Sequence, residues 1–552
     1  GAASLTVSGN DGRRVFAIYG VHTVMMEGIT IAHGKVTNEN GAGIINNGYL
    51  TLNNVVVTGN DAISTGSAVT GGGIYNSGSL TINGGAVTNN SAHNEGGGIH
   101  NENGSILNLN GVLISDNSVL DNDSGGGGIY AAAGASLKIN NSSIIGNSAK
   151  YWGGGMVSNS SLTMTNSLVA NNSVINSTTD GSAGGLALAD GMNSGNAYTL
   201  TNVTISGNTV SNSANTAFGG GLYLSQGALT LNNVTIADNT SQDTPAGFFA
   251  GGSLPKMRNS IIAGNDTANS AGNSDDCTGQ IVSLDYNLVQ NGDCLSYAAH
   301  DIKGVSALLH PLADNGGPSM THSLGAGSPA LNAADNASCA ADDQRGIARP
   351  QGGICDMGAF ETEIASLTLR SLGTDDGYIL ESTETSGKGG TMNSSATTFN
   401  LGDGAGDKQY RAILSFDTSS LPDNAIITKV ILKIKRQGII GADPFASLGL
   451  LRIDIRKPYF GTASSLAITD FQAATGKNNI GSFANAPVNN WYTKAWATDT
   501  FFSHINLTGS TQIRLRFAKD DNDNGAADYM KFFSGNAGAA SRPQLIVEYY
   551  IP

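Results

Sequence analysis

Residues Leu50–Asn60 read LTLNNVVVTGN, and Leu229–Asn239 read LTLNNVTIADN. Aligned on the final Asn, the pattern recurs at Asn60, Asn90, Asn117, Asn147, Asn172, Asn208, Asn239 and Asn265, at intervals of 25–36 residues. Three residues before each Asn stands Val or Ile, from Val57 to Ile262. Eight before it stands Leu, Ile or Met, from Leu52 to Met257. A weaker copy, GITIAHG, puts Ile31 in the β-branched column and Gly34 in place of the Asn.

A second motif precedes each unit: GAGI ending at Ile44, GGGI at Ile74, Ile99 and Ile129, GGGM at Met156, AGGL at Leu186 and GGGL at Leu222. Self-similarity at this period signals a solenoid. LTL and VTI alternate with period two, so each predicts a short strand with one buried face. The Gly triplets exclude a helix. The fold class is therefore all-β, opening with a right-handed parallel β-helix over residues 1–276. Stacked turns place Leu over Leu and Asn over Asn, which predicts a continuous core and an amide ladder. The Gly clusters permit a sharp corner. The spacer from each Asn to the next Gly cluster varies (SAHNE, SVLDNDS, SVINSTTDGS). Insertions thus fall on one corner, where solenoids often carry binding loops. These motifs resemble the polymorphic outer-membrane-protein repeat family over roughly residues 20–270. That resemblance implies a secreted surface protein or adhesin and says little about activity.

Residues 277–363 read as an irregular cap on the solenoid's open end and hold all four cysteines. Short loops close at least entropic cost, which favours Cys277–Cys294 and Cys339–Cys355; the other two pairings stay open on sequence alone. LADNGGPSMTHSLGAGSPALNAAD and DDQRGIARPQGGICDMGAFE resemble the C-terminal signature of choice-of-anchor β-helix proteins. In that family an anchor or accessory domain follows. Arg345 and Arg349 are expected to pair with Asp343, Asp356 or Glu361.

From Ile364 the strands lengthen: QYRAILSFDTSSLP, AIITKVILKIKRQG, LRIDIRKPY, TQIRLRFAKD and RPQLIVEYYIP. Alternation between turn-rich gaps predicts an antiparallel β-sandwich of jelly-roll type over residues 364–552. YRAILSFDTSSLPDNAIITKVILKI and SGNAGAASRPQLIVEY resemble the DNRLRE domain family, some relatives of which are carbohydrate-binding modules. The last strand runs to the chain end, so neither a sorting signal nor an anchor is expected after it. One stretch, DDNDNGAADY, spaces Asp520, Asn522 and Asn524 ahead of Gly525 and Asp528, as Ca²⁺ ligands are spaced about a Gly turn. Lys531 stands where an EF-hand carries its closing carboxylate. The shell would need Asp375 with Asp376, or Asp403 with Asp407.

The net charge of −15 is concentrated in residues 1–363, with 10 Lys and Arg against 26 Asp and Glu. Nucleic acid and anionic membranes are disfavoured as partners. An even number of Cys without a CxxC pair argues for disulfides in an oxidising compartment rather than zinc. No apolar run approaches membrane-spanning length and no signal peptide opens the chain. A secreted protein would then place Gly1 after a processing or truncation point.

Between Lys150 and Lys256 there is no Lys or Arg, so the cation that a uronate lyase needs is missing. The solenoid Asp residues sit at turns, not as the paired carboxylates of a hydrolase. The first expectation is a secreted, non-catalytic surface protein, adhesin or filament subunit whose partners include copies of itself. The alternative is a polysaccharide-binding or polysaccharide-degrading protein whose partner is an extracellular glycan. Tyr75, His100, Tyr130 and Tyr223 follow the Gly clusters and should face outward. With Trp152 at the variable corner they are the candidate binding residues, although Val157 and Ala187 interrupt the column.

Overall fold

A computed structural model describes residues 5–176, 181–189, 195–212, 217–242, 245–268, 276–296 and 298–551. It comprises two compact units, Gly1–Glu363 and Ile364–Pro552.

The first unit is a parallel β-solenoid. Among the described residues its strands stack into three main sheets of 19, ten and nine strands. The largest, here the Leu sheet, holds both LTL and VTI strands. The ten-stranded Gly sheet holds the strands that follow the Gly clusters, from Phe16–Ile18 to Cys277–Thr278. The third holds the segments after each Asn, from Lys35–Thr37 to Asp266–Thr267. Register follows the sequence columns: Leu50 pairs with Leu80 and Leu80 with Leu107, while Val57 pairs with Val87 and Val87 with Ile114. Leu80 and Leu107 are fully buried and Leu50 nearly so; each such side chain contributes about 1.5–3 kcal/mol relative to exposure. Between LTL and VVV the chain bends at Asn54, whose φ is +51°, and Asn141, Asn166, Asn202, Asn233 and Asn259 repeat that bend. Asn tolerates the left-handed region better than other non-Gly residues.

The repeated columns of this chain are tied together by a contact that neither motif shows alone. Asn60 Nδ2 donates to Asn90 Oδ1 at 2.9 Å, and the row continues through Asn117, Asn147, Asn172, Asn208, Asn239 and Asn265. Opposite it run the last glycines of the clusters. A Cβ on Gly128 would lie 2.6 Å from the Gly155 carbonyl and 3.0 Å from Asn147 Cγ. Here the missing side chain makes room for the amide row as well as for the corner.

Residues 277–303 differ from the expected cap. Ile281–Ser283, Leu288–Val289, Leu295–Ser296 and Ile302–Lys303 add strands to the Leu sheet. Cys277 and Cys294 form a disulfide inside the solenoid core. The chain after them folds back along the outer face of the Leu sheet as a strap, closed by Cys339–Cys355. Outward-facing Ile261, Ala263 and Leu288 pack against Leu324, Met357 and Phe360 of the strap. The strap covers those apolar outward positions, whereas Val56, Ala86 and Leu113, apolar positions earlier in the sheet, are partly or fully exposed.

The second unit is antiparallel. Its long strand Ile426–Ile440 pairs first with Trp491–Trp496 and Gln544–Tyr550, then with Asp528–Phe533. Register shifts at Ile427/Lys429 and Arg436/Gly438 let it turn between the two sets. One strand therefore serves both faces, and the result is a single curled sheet around Phe399, Phe416, Leu432, Leu515 and Phe532.

Candidate functional site

The candidate aromatics stand on the outer face of the Gly sheet. Tyr75, His100 and Tyr130 occupy successive paired positions there, one rung or about 4.8 Å apart. That spacing stacks their rings: Tyr75–His100 centroids are 5.3 Å apart and His100–Tyr130 5.2 Å, both inclined by 11°. Flat stacking hides ring faces from a ligand. His100 is only 3% exposed. Polar edges are tied as well. Tyr75 Oη donates to Glu102 at 2.8 Å, and Asn159 donates to Tyr130 Oη at 2.9 Å. His100 lies between two carboxylates, 3.7 Å from Glu95 and 3.4 Å from Glu102.

The two carboxylates are driven apart in pKa. The His100 contact, with the Asn103 N–H and Tyr75, holds Glu102 down to about 2 against the opposing effect of burial. Burial raises Glu95. The same burial, with Glu102 alongside, pushes Tyr75 up to about 12. This trio of rings is a closed stack, within which His100 Nδ1 is buried without a hydrogen-bond partner.

The next part of the face is open. Val157 and Ala187 interrupt the column, and Trp152 fills the gap from the corner loop. It packs with Val157, Ala183 and Ala187, in one cluster with Tyr130 and Tyr223. Its closest rings meet it obliquely: Tyr151 at 6.4 Å and 53°, Tyr223 at 6.3 Å and 72°. Tyr223 then stacks on Phe249 at 5.3 Å, and Phe249 on Phe218 at 5.2 Å. All five rings are half-buried. Phe249 and Phe218 are additions to the sequence reading. Near Phe249 the Gly cluster shrinks to Ala246-Gly247, so the motif that marks the column is lost; the Phe248–Phe249 pair after that Gly was the available signal. Part of the variable corner, residues 177–180, 213–216, 243–244 and 269–275, lies outside the described residues.

A second cluster with catalytic geometry lies under the strap. Ser206 Oγ is 2.8 Å from His322 Nε2, and His322 Nδ1 is 2.7 Å from the His310 carbonyl. The carbonyl accepts only a proton-bearing Nδ1, which leaves Nε2 to accept from Ser206. Burial lowers the His322 pKa. Yet both side chains are at most 2% exposed. The pair belongs to a row that docks the strap: Thr204 donates to Gln344 at 2.7 Å, and the Ala359 N–H donates to Thr235 at 2.9 Å. Arg345 and Arg349 serve the strap too. Arg349 pairs with Glu361 at 3.0 Å and Arg345 with Asp343 at 2.8 Å, all buried. Asp356 instead accepts the Asn332 and Thr362 N–H groups.

The Asn-rich loop of the second unit closes on itself differently from an oxygen cage. Asn522 and Asn524 turn their amide nitrogens to Asp528 Oδ2, at 2.8 and 2.9 Å, and Ala442 N–H donates to Oδ1 at 2.6 Å. Asp520 is exposed. Asp376 is engaged by the Ser415 and Gly535 N–H groups. Among the described residues no three His, Cys, Asp or Glu side chains stand where they would hold a metal ion. No helix among them is long and apolar enough to cross a membrane.

No family model matches the chain, so the likeness of its motifs to named families remains a resemblance. No curated protein matches it either. Among solved structures it is similar to the enzymatically active domain of tailspike protein 4 from bacteriophage CBA120. That likeness has 10% identity and a TM-score of 0.18, covering 97% of this chain and 63% of that one. It carries no argument about activity.

Proposed function

We propose that the chain is a non-catalytic extracellular protein that binds glycan along the aromatic face of its Gly sheet, in the manner of an adhesin. The arrangement of Trp152 carries this reading: it lies on Val157, Ala183 and Ala187, with Tyr151 and Tyr223 oblique to it. A half-buried indole held rigidly and left without a flat-stacked neighbour offers a π-face to the C–H face of a sugar. Tyr223 and Phe249 on successive rungs, with Phe218 from the turn of Tyr223, stack on one another and prolong the apolar surface beside Trp152 by their half-buried edges. The two disulfides accord with an oxidising compartment. The non-catalytic reading rests on the burial of Ser206 and His322 and on the closed stack around Glu95 and Glu102.

Glycan-array binding by the parent, Trp152→Ala and Trp152→Ala/Tyr223→Ala tests it. At least a tenfold loss is expected in the double variant, with an unchanged far-UV spectrum. Equal binding by parent and double variant would refute the proposed face. Release of shortened glycan by the parent would move the protein to the degrading class.

A further inference from the structure

The first outward position of the LTL strands forms a column on the Leu sheet. Tyr49 pairs with Ser79, and Ser79 with Ile106. Tyr49 and Ile106 are 55% and 43% exposed, whereas the rung between them carries only a serine side chain. Gly48 and Gly78 precede Tyr49 and Ser79 at the corner. A Cβ on Gly78 would collide with the Gly48 carbonyl, and one on Gly48 would lie 2.7 Å from the Gly20 carbonyl. Stacking at the corner therefore excludes side chains there, and the surface beside Ser79 stays bare. The result is a cavity of about 370 Å³ between Tyr49 and Ile106, with Val21 also in its wall. That volume lies in the range of small-molecule sites.

The Gly sheet shows what fits such a gap. Tyr75 and Tyr130 also stand two rungs apart, with His100 on the rung between them. The imidazole lies 5.3 Å from one phenol ring and 5.2 Å from the other, inclined by 11° to each. Tyr49 and Ile106 have the same two-rung separation, about 9.6 Å between backbones. A flat ring on the Ser79 rung would lie about 4.8 Å from each wall, within the stacking range of aromatic rings. A planar ring meets both walls over its whole face, whereas a puckered ring touches them through a few hydrogens.

The edge of the cavity is polar but uncharged. Asn47 lines it with Ser79, and no Lys, Arg, Asp or Glu does. Asn47 Oδ1 accepts from Ser77 Oγ at 2.8 Å, which orients the amide and leaves Nδ2 to donate. The Ser79 hydroxyl can donate or accept. We propose that this slot binds a neutral, planar aromatic molecule of the phenol class. Its ring takes the Ser79 rung between Tyr49 and Ile106, as His100 does between its tyrosines, and its hydroxyl meets Asn47 and Ser79. The slot shares no residue with the Trp152 face and does not depend on the glycan reading.

Saturation-transfer difference NMR on the full chain with p-cresol tests the slot, with 4-methylcyclohexanol as the puckered counterpart. Saturable transfer to the p-cresol ring is expected, and at least fivefold weaker binding of the cyclohexanol. Tyr49→Ala, at an exposed position, is expected to weaken p-cresol at least fivefold, and Trp152→Ala to leave it unchanged. Ser79→Phe places a ring of the chain's own on the vacant rung. It is expected to abolish p-cresol binding and to raise the melting temperature. Absence of saturable transfer in the parent overturns the proposal, as does equal affinity for the two compounds. So does unchanged affinity in Tyr49→Ala, or a loss in Trp152→Ala. A Ser79→Phe protein that still binds p-cresol, or that melts below the parent, would show that the rung is not vacant and overturns it equally.

Discussion

Asn265 Nδ2 donates to Asp276 Oδ1 at 2.8 Å, and there the buried amide row of the solenoid stops. Each amide before it gives one N–H to the next side chain and the other to a backbone carbonyl one rung back, as Asn90 does to Val57 O at 3.0 Å. From Asn90 onward each oxygen takes two N–H groups, as Asn147 Oδ1 takes those of Asn117. A buried Asn can do no better. Asp276 has no proton to pass on and accepts the Asn291 N–H with its other oxygen, at 2.6 Å. The row therefore has a direction and a terminus.

Asn147→Ala breaks the row in the middle. It strands the Asn117 donors and the Asn172 oxygen, which Asn147 otherwise satisfies. Each orphaned buried group costs about 1–3 kcal/mol, so a loss of roughly 3 kcal/mol is expected in urea unfolding monitored by circular dichroism. A change below about 0.5 kcal/mol would show that water repairs the row.

Gly128→Ala and Gly104→Ala separate space from backbone conformation. Gly104 has φ +76° but open surroundings, whereas an added Cβ at Gly128 meets the Gly155 carbonyl and the Asn147 side chain. Gly104→Ala is expected to cost ~1 kcal/mol of left-handed strain. Gly128→Ala is expected to cost about 3 kcal/mol as overpacking. Equal losses in thermal unfolding would contradict the packing account.

Much of this was legible in the sequence, for a physical reason. Stacking forces like residues over like, so LTL, VTI, GGG and the final Asn repeat visibly, and the register follows. The strap was not legible. Its docking positions on the Leu sheet, Thr204, Ser206, Thr235 and Ile261, are small polar or apolar residues that an exposed strand also tolerates. Only the fold brings residues so distant in sequence together. The aromatic face was half legible. Tyr75, His100, Tyr130 and Tyr223 carry the motif's phase, but Trp152 arrives from a loop and fills a column it does not belong to. In the Asn-rich loop, spacing could not show that Asn522 and Asn524 turn their amide nitrogens to Asp528.

Arg349→Met tests the strap. Arg349 holds the Glu361 carboxylate and the Asp356 and Gly358 carbonyls, all buried. Its removal leaves Glu361 uncompensated, a loss of about 3–5 kcal/mol. The double variant Arg349→Met/Glu361→Leu is expected to regain most of it. The measurement is the rate of limited proteolysis between residues 304 and 361, which should rise in the single variant and fall back in the double.

Glu102 gives the solenoid an acid-range dependence. Its carboxyl is held down to about 2, from an ordinary value of 4.5, mainly by His100. A depressed carboxylate contributes stability above its unfolded pKa and loses it as pH falls through the folded one. The parent should therefore lose stability between about pH 4.5 and pH 2. Glu102→Gln should lose less across that window, as read from urea midpoints at each pH. Parallel profiles for the two proteins would remove Glu102 from the account.

The one-way amide row makes each turn of the solenoid an exchangeable module. Excising Asp61–Asn90 would join Asn60 to Ser91 and set Asn60 beneath Asn117, the same bond between the next pair of like partners. Turns bound by the strap lack that freedom, because Thr204, Thr235 and Ile261 are each matched to a particular strap residue or pocket. Recombination between repeats can thus lengthen or shorten the solenoid on the side before Leu168, while the strapped turns stay fixed. Reach becomes a heritable quantity, adjustable in whole steps without redesign of the fold.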